Sequence, residues 1–541
     1  MVYGSNYPDH LDNISDSDYP CIMPEGSPRD ADQAIQHILI AQVEPPQDES
    51  AGDYYYRTFS PGRAMASQDG VEVINLTNVH RERERIVRTA DVLIVKNVCD
   101  PDVLPVIAER KAGRLVTVFE MADDVGDIQP WNPMYYFYRN PENLGLFKRM
   151  GQVSDAMQFS VGELKRKYGY LNSVSEVFQN QISIIPPPKA AGTKDEIVIG
   201  WGGSHGHLED MAQIATALVR WIQEHQGVYL HLMCSEPIRE LFRDLPPNRK
   251  RLIKPGTIED YYAFLRDIDI GLAPLSDTGF NRSRSDVKFL EYAVSSVVPL
   301  VQDLIPYRDS VRDAETGFFF RDPEELLGIL EKLYTDRGVM ARVAEQARSY
   351  VMKERLQDDH GLDRIGFYRT LLSAKGWQKG DDERTSSAFQ GLTRLEGAVC
   401  EGRHLRLLST RFEALLHDGL VLGQIQGDCG RAQQCFQEAS SLEPHSYLPH
   451  LFGAPVSDDP VAQLKRALSV NPRSIKAWIM LGETHARQGD VPESLKAFES
   501  AAALFPGYDI PYVRVASVLQ ALGEKKAAED MLMRAQALAV P

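Results

Sequence analysis

SRSDVKFLEYAVSSVVPLVQD, residues 283–303, places a polar helix start, a basic residue and one carboxylate directly before a run that only burial suits. Ser285 and Asp286 are residue types that cap the exposed amides opening a helix. Those amides and the helix dipole together attract a diphosphate. Lys288 and Glu291 follow one turn apart on one face, whereas Phe289, Leu290 and Ala293 turn toward a sheet. Val297, Val298, Pro299, Leu300 and Val301 then read as an interior parallel strand. The layout suits gripping a phosphorylated small molecule, and an amphipathic helix with solvated charges is the plain alternative.

Working outward, alternating apolar runs and helical spacers begin near residue 35, the pattern of parallel α/β construction. The expected strands are 71–77, 91–98, 114–121, 155–161 and 182–185. PPP at Pro186 to Pro188, followed by KAAGTKDE, reads as a linker. A second set follows at 197–200, 228–233, 252–254, 268–274, 297–301 and 317–320. Two consecutive α/β domains, 35–190 and 195–372, would face each other across a cleft at the carboxyl ends of their strands. A helical tail over 337–372 closes the second. Residues 373–387, SAKGWQKGDDERTSS, are expected to be a flexible linker.

Beyond it, 388–541 is expected to be all helical. Residues 475–508 carry Trp478, Leu481, Gly482, Gly489, Phe498, Ala501 and Pro506 in tetratricopeptide spacing, and a shift of 34 residues reaches Tyr512, Val515, Ala516, Gly523, Ala528, Leu532 and Ala535. Gly427, Ala432, Phe436, Ala439 and Pro444 form an earlier copy. Stacked repeats leave a concave face for an extended partner, and a generic helical bundle is the alternative.

The chain has 541 residues, 43% hydrophobic and 25% charged, enough for roughly three or four globular domains. A formal charge of -17 argues against nucleic acid or an anionic membrane as partner, because both are bound through Lys and Arg. No apolar run is long enough to span a bilayer. MVYGSNYPDHLDNISDSDYP predicts a polar, partly disordered leader over 1–34 without a targeting signal. Six cysteines at 21, 99, 234, 400, 429 and 435 form no CxxC pair, so reduced thiols in a cytoplasmic setting and no metal site are expected.

Three stretches, in order, resemble the group 1 (family 4 type) GT-B glycosyltransferases: IVIGWGGSHGHLEDM (197–211), DIDIGLAPLSDTGFNRSRSDVKFLEYA (267–293) and VVPLVQDLIPYRDSVRDAETGFFF (297–320). The resemblance implies two Rossmann-like domains facing across a cleft, with a nucleotide-sugar donor in the second and the acceptor against the first. It also implies retention of configuration without a metal or other cofactor. Glu291 matches the second glutamate of the family's E-x7-E motif, which holds the nucleotide ribose, and Ser283 stands where the first glutamate is usual. A leaving diphosphate needs cations or amides. Gly202, Gly203, His207, Arg284, Lys288, Glu291 and Tyr292 are therefore the donor-binding candidates. Arg282, Arg284 or Lys288 would replace the family's usual phosphate pair, and Ser285 or Asp286 would take over from the missing glutamate.

Asp123 and Asp124 follow an apolar run where the first domain would meet the cleft. A carboxylate there can orient or deprotonate an acceptor hydroxyl, and helix capping is the competing use. His205 and His207 lack a third ligand nearby, which argues against zinc. The expected function is sugar transfer to a protein, flagellin-like or another surface protein, selected by the repeats. Alternatives are a polysaccharide or lipid-linked acceptor, or a binding protein of this fold without turnover.

Overall fold

The computed structural model describes residues 37–46, 51–132, 134–189, 196–377 and 389–540. The leader expected over 1–34 and residues 378–387 of the expected linker lie outside the described residues.

The first sheet has eight strands: β1 Ile38–Glu44, β2 Val71–Thr77, β3 Val92–Lys96, β4 Val116–Met121, β5 Ala156–Phe159 and β6 Ser175–Val177, plus a distant hairpin described below. The second has six: β7 Ile197–Gly203, β8 Val228–Cys234, β9 Lys250–Ile253, β10 Ile270–Ala273, β11 Val298–Gln302 and β12 Phe318–Phe320, in the order β12-β11-β10-β7-β8-β9. All pairs in the second sheet are parallel. Both domains thus have the expected doubly wound, parallel construction, with a helical region after them. Among the described residues no helix is long and apolar enough to cross a membrane.

Three expectations need correction. First, strand 182–185 is absent: Ile182 makes a single bridge to Leu356, because this segment is the crossover between domains and three prolines without N–H groups follow. β1, buried at every position at the centre of the first sheet, was not among the expected strands. Second, strands do not end with the second domain. β13 Ala398–Glu401 and β14 His404–Leu407 form an antiparallel hairpin, and β14 pairs in parallel with β2. The first sheet therefore runs β13-β14-β2-β1-β3-β4-β5-β6. Third, helix Gly361–Ala374, expected to finish the second domain, covers the first. Its Ile365, Tyr368 and Leu372 join Ile38, Ile40, Val71, Val73 and Val92 in one buried cluster.

The other face of the first sheet is covered partly by helices of the C-terminal region. Ile475, Ile479, Phe498, Tyr508, Ile510 and Val515 share a core with Leu93, Val95, Phe119 and Phe147. Within that region, Gly427, Gly489 and Gly523 each turn the chain between two antiparallel helices at φ of 71°, 78° and 82°. A left-handed residue is what ends a helix so abruptly. Gly482 lies against Phe498, where an added Cβ would come within 2.5 Å of the ring, and Gly419 lies likewise against Phe436.

Candidate functional site

Strand carboxyl ends of both sheets converge on a cavity of about 720 Å³. From the second domain come Gly202 and Gly203 at the end of β7, Met233 and Ser235 at the end of β8, and Leu275 after β10. Ala122 and Asp123 after β4, and Ser160 after β5, come from the first. In the second sheet the strand order reverses between β7 and β10, where ligands of such folds sit. Gly202 allows the close approach of Tyr261, whose ring would be 2.7 Å from an added Cβ.

Helix Val287–Val294 forms the second-domain wall, and its Phe289, Leu290, Ala293 and Val294 are sealed in the core beneath. Glu291, 3% exposed, accepts hydrogen bonds from Tyr56 (2.9 Å), Tyr261 (2.9 Å) and Lys288 (2.9 Å). Lys288 also donates to the Tyr261 hydroxyl at 2.8 Å and lies over that ring. Burial first, then the Glu291 charge, hold the Tyr56 and Tyr261 hydroxyls protonated well above the usual tyrosine range. Tyr56 belongs to the first domain, so Glu291 is gripped from both sides of the cleft.

His207 sits at the start of helix Leu208–Glu224. Its Nδ1 lies 2.8 Å from Asp210 and its Nε2 3.1 Å from an Arg284 nitrogen. These partners assign a neutral ring that donates to the carboxylate and accepts from the guanidinium. Burial and then the Arg284 charge lower its pKa to about 4, against the opposing pull of Asp210. Asp210 is itself fixed by Ser276 N–H (2.7 Å) and Asn281 (2.9 Å). The result is a strut that presents Arg284 to the cavity with both ring nitrogens engaged.

The sequence-derived candidates separate cleanly. Gly202, Gly203, His207, Arg284, Lys288, Glu291 and Asp123 all line the cavity. Tyr292 does not: it is 0% exposed, its hydroxyl donates to Leu272 O at 2.7 Å, and its ring fills the space beside Gly271. It sits beside Glu291 in sequence but on the helix face that meets the sheet. Asp124 does not reach the cavity either, being buried among Tyr168, Lys167 (2.7 Å) and Ser283 (3.3 Å). Ser283 thereby meets Asp124 across the domain boundary and does not line the cavity. Asp286 is paired with Arg355 and Ser310, and Arg282 with Asp277 on the surface, and neither lines the cavity. Ser285 does line the cavity and accepts from Asn180 at 2.9 Å.

Asp123 carries no side-chain hydrogen bond to another described residue, and burial, then the Asp53 charge, raises its pKa. Tyr261 and Asn180 were not among the candidates because their contacts lie far along the chain, where no local spacing displays them, and Asp210 because its partners Ser276 and Asn281 are equally remote.

No protein-family model and no curated protein matches the chain. Among solved structures, HepE of Anabaena in complex with UDP and glucose is 12% identical over 61% of this chain and 98% of its own, with a TM-score of 0.47. Sucrose-phosphate synthase from Thermosynechococcus elongatus is 12% identical over 62% and 100%, at 0.45. MamA matches 30% of this chain and 90% of its own at 17% identity and a TM-score of 0.22. Identities this low and superpositions this loose assign no activity.

Proposed function

We propose that this chain transfers a sugar from a nucleotide-sugar donor to an acceptor hydroxyl in the cleft between its two α/β domains. One observation carries the reading. The cavity at the strand ends has Arg284, Lys288 and a helix N-terminus on one wall, with Glu291 among them, while the Asp123 carboxyl, without a side-chain hydrogen bond to another described residue, stands on the other. Cations and amides suit a diphosphate, and Glu291 suits ribose hydroxyls. Asp123 would orient or deprotonate the attacking hydroxyl, and its raised pKa suits a general base. Gly202 and Gly203 would let backbone approach the donor.

We further read the acceptor as a protein, chosen by tetratricopeptide-type helices docked on the acceptor-side domain, in a cytoplasmic setting. Retention without a metal follows from the resemblance alone; the anomeric configuration of the product, and activity in the presence of a chelator, test both points. A second reading, a binding protein without turnover, is favoured by the engagement of Ser283 with Asp124 in place of a donor-contacting glutamate.

Incubation with a panel of nucleotide sugars, with release of free nucleotide measured, separates the two. Release from one donor supports transfer, binding without release supports the second reading, and neither binding nor release with any donor sinks both. Intact mass spectrometry of surface proteins expressed with and without the chain tests the acceptor class.

A further inference from the structure

The first-domain wall of the cavity carries a second carboxylate, held by a buried lysine that the donor site does not use. Lys96, the last residue of β3, is 2% exposed. Its Nζ pairs with Glu44 (2.5 Å), the last residue of β1, and with Asp53 (2.8 Å) in the turn of helix Gly52–Tyr54. Glu44 is buried and also receives the Thr58 hydroxyl at 3.1 Å. The Asp53 side chain, 36% exposed, lines the cavity together with Asp123. A buried ammonium is tolerated only with such partners. Burial by itself favours the neutral amine, but the Asp53 charge and then that of Glu44 outweigh it and hold the ammonium above the usual lysine range.

The backbone sets this group beside Asp123. β3 and β4 pair with Lys96 opposite Glu120. Asn97 follows Lys96 at φ 52°, in the left-handed region that asparagine tolerates better than most residues, and its side chain accepts from Ala122 N–H at 3.4 Å. Lys96 and Asp123 are therefore each one residue from the same link between strand ends. Asp123 is faced by Asp53 and Arg57 from the segment after β1, by Lys96 from β3, by Tyr138 from helix Tyr135–Arg139 and by Arg284 from the second domain.

We propose that Lys96 is a positioning residue for the transfer reaction: it anchors Asp53 beside Asp123, so that a pair of carboxylates receives the acceptor through its hydrogen-bond donors. The inference rests on the sugar-transfer reading of the cleft and deepens its acceptor side. Asp123 takes the proton of the attacking hydroxyl as that oxygen bonds to the sugar carbon, and the diphosphate leaves with the electron pair of the broken bond. Asp53 accepts a hydrogen bond from a neighbouring hydroxyl or amine of the acceptor, and its charge keeps Asp123 basic. An acceptor with a phosphate or carboxylate next to its hydroxyl is repelled by the same pair.

The full chain, Asp53→Asn and Asp53→Glu are labelled with carbon-13 in the aspartate carboxyl, and the Asp123 resonance, assigned by its loss in Asp123→Asn, is titrated with pH. Release of nucleotide from a panel of UDP and GDP sugars, with water as acceptor, is followed over the same range. Removing the Asp53 charge should move the Asp123 midpoint, and with it the acidic limb of turnover, to lower pH, and turnover at neutral pH should fall about tenfold. Asp53→Glu should restore both in part. Lys96→Met should cost a similar factor, and combining it with Asp53→Asn should cost little more, because the lysine acts through Asp53. Should Lys96→Met fail to fold, its combination with Glu44→Gln, which leaves neither charge of that pair buried alone, takes its place. An Asp123 midpoint unmoved by Asp53→Asn, or losses from the two sites that simply add, would overturn the assignment while leaving the transfer reading intact. A wild-type chain that releases no nucleotide from any donor sinks the transfer reading, and this inference with it.

Discussion

The first α/β domain has two neighbours and shares an apolar cluster with each, but only toward the second α/β domain do polar contacts surround a cavity. Toward the C-terminal helices the contact is a continuous apolar core, Ile475, Phe498 and Val515 against Leu93 and Phe147, reinforced by strand pairing between β14 and β2. At its centre a buried carboxylate, Asp102, accepts from Tyr447 (2.8 Å), Ser474 (2.7 Å) and Lys476 N–H (2.9 Å). Toward the second α/β domain the contact around the cavity is polar. Tyr56 reaches Glu291, Asn180 reaches Ser285, Gln129 reaches Thr278 (3.1 Å) and Trp131 reaches Gly206 O (3.2 Å). Apolar clusters with satisfied polar groups hold both contacts, and the hydrogen bonds around the cavity are those a ligand can exchange for its own. The helical region and the first domain thus share one core, while polar side chains of the first and second domains face the cleft.

The severest challenge to this contrast is a truncation after Ser373. It strips β13 and β14 from the sheet edge and uncovers the apolar face beneath Phe498, so loss of soluble, cooperatively melting protein is expected. A truncated chain that melts like the whole would show that the seam is dispensable. Asp123→Asn touches only the cleft. Turnover should fall about 10²- to 10⁴-fold with little change in melting temperature; unchanged turnover would remove Asp123 from the chemistry. Asp102→Ala touches only the seam, leaving two hydroxyls and an amide without their acceptor. A loss on the order of 3 kcal/mol in stability is expected, with nucleotide affinity retained.

The smallest effect concerns His207. Its pKa of about 4 lies below the ordinary 6.5 because the folded site favours the neutral ring. The unfolded chain takes up the proton first, so this group's contribution to stability is complete above about pH 6.5 and is lost as the pH falls toward 4. The imidazole proton resonances of His207 should accordingly titrate with a midpoint near 4, and a midpoint at or above 6.5 would contradict the strut to Asp210 and Arg284.

Much of this organisation was legible from periodicity and residue type. The strand 297–301 is β11 shifted by one residue, and Lys288 with Glu291 does stand on the cavity face of a helix whose other residues are buried. Legibility failed where pairing partners are remote. Residues 398–407 have little strand signature of their own, and they become strands because β2 offers an open edge. Helix Gly361–Ala374 follows the second domain in sequence yet carries an apolar stripe shaped by the first sheet. Asp123 and Asp124 are neighbours of one type, and only the fold, by placing Tyr168 and Lys167 beside Asp124, decides which of them faces the cavity.

The most direct measurement of the cleft is calorimetric titration of the intact chain and Glu291→Ala with the common nucleoside diphosphates. One base should bind the intact chain; the variant, less stable because Tyr56, Tyr261 and Lys288 lose their acceptor, should in its folded form lose about 1 to 3 kcal/mol of that affinity. Absence of binding by every diphosphate, or an affinity that Glu291→Ala leaves unchanged, would contradict a nucleotide-sugar site between these domains.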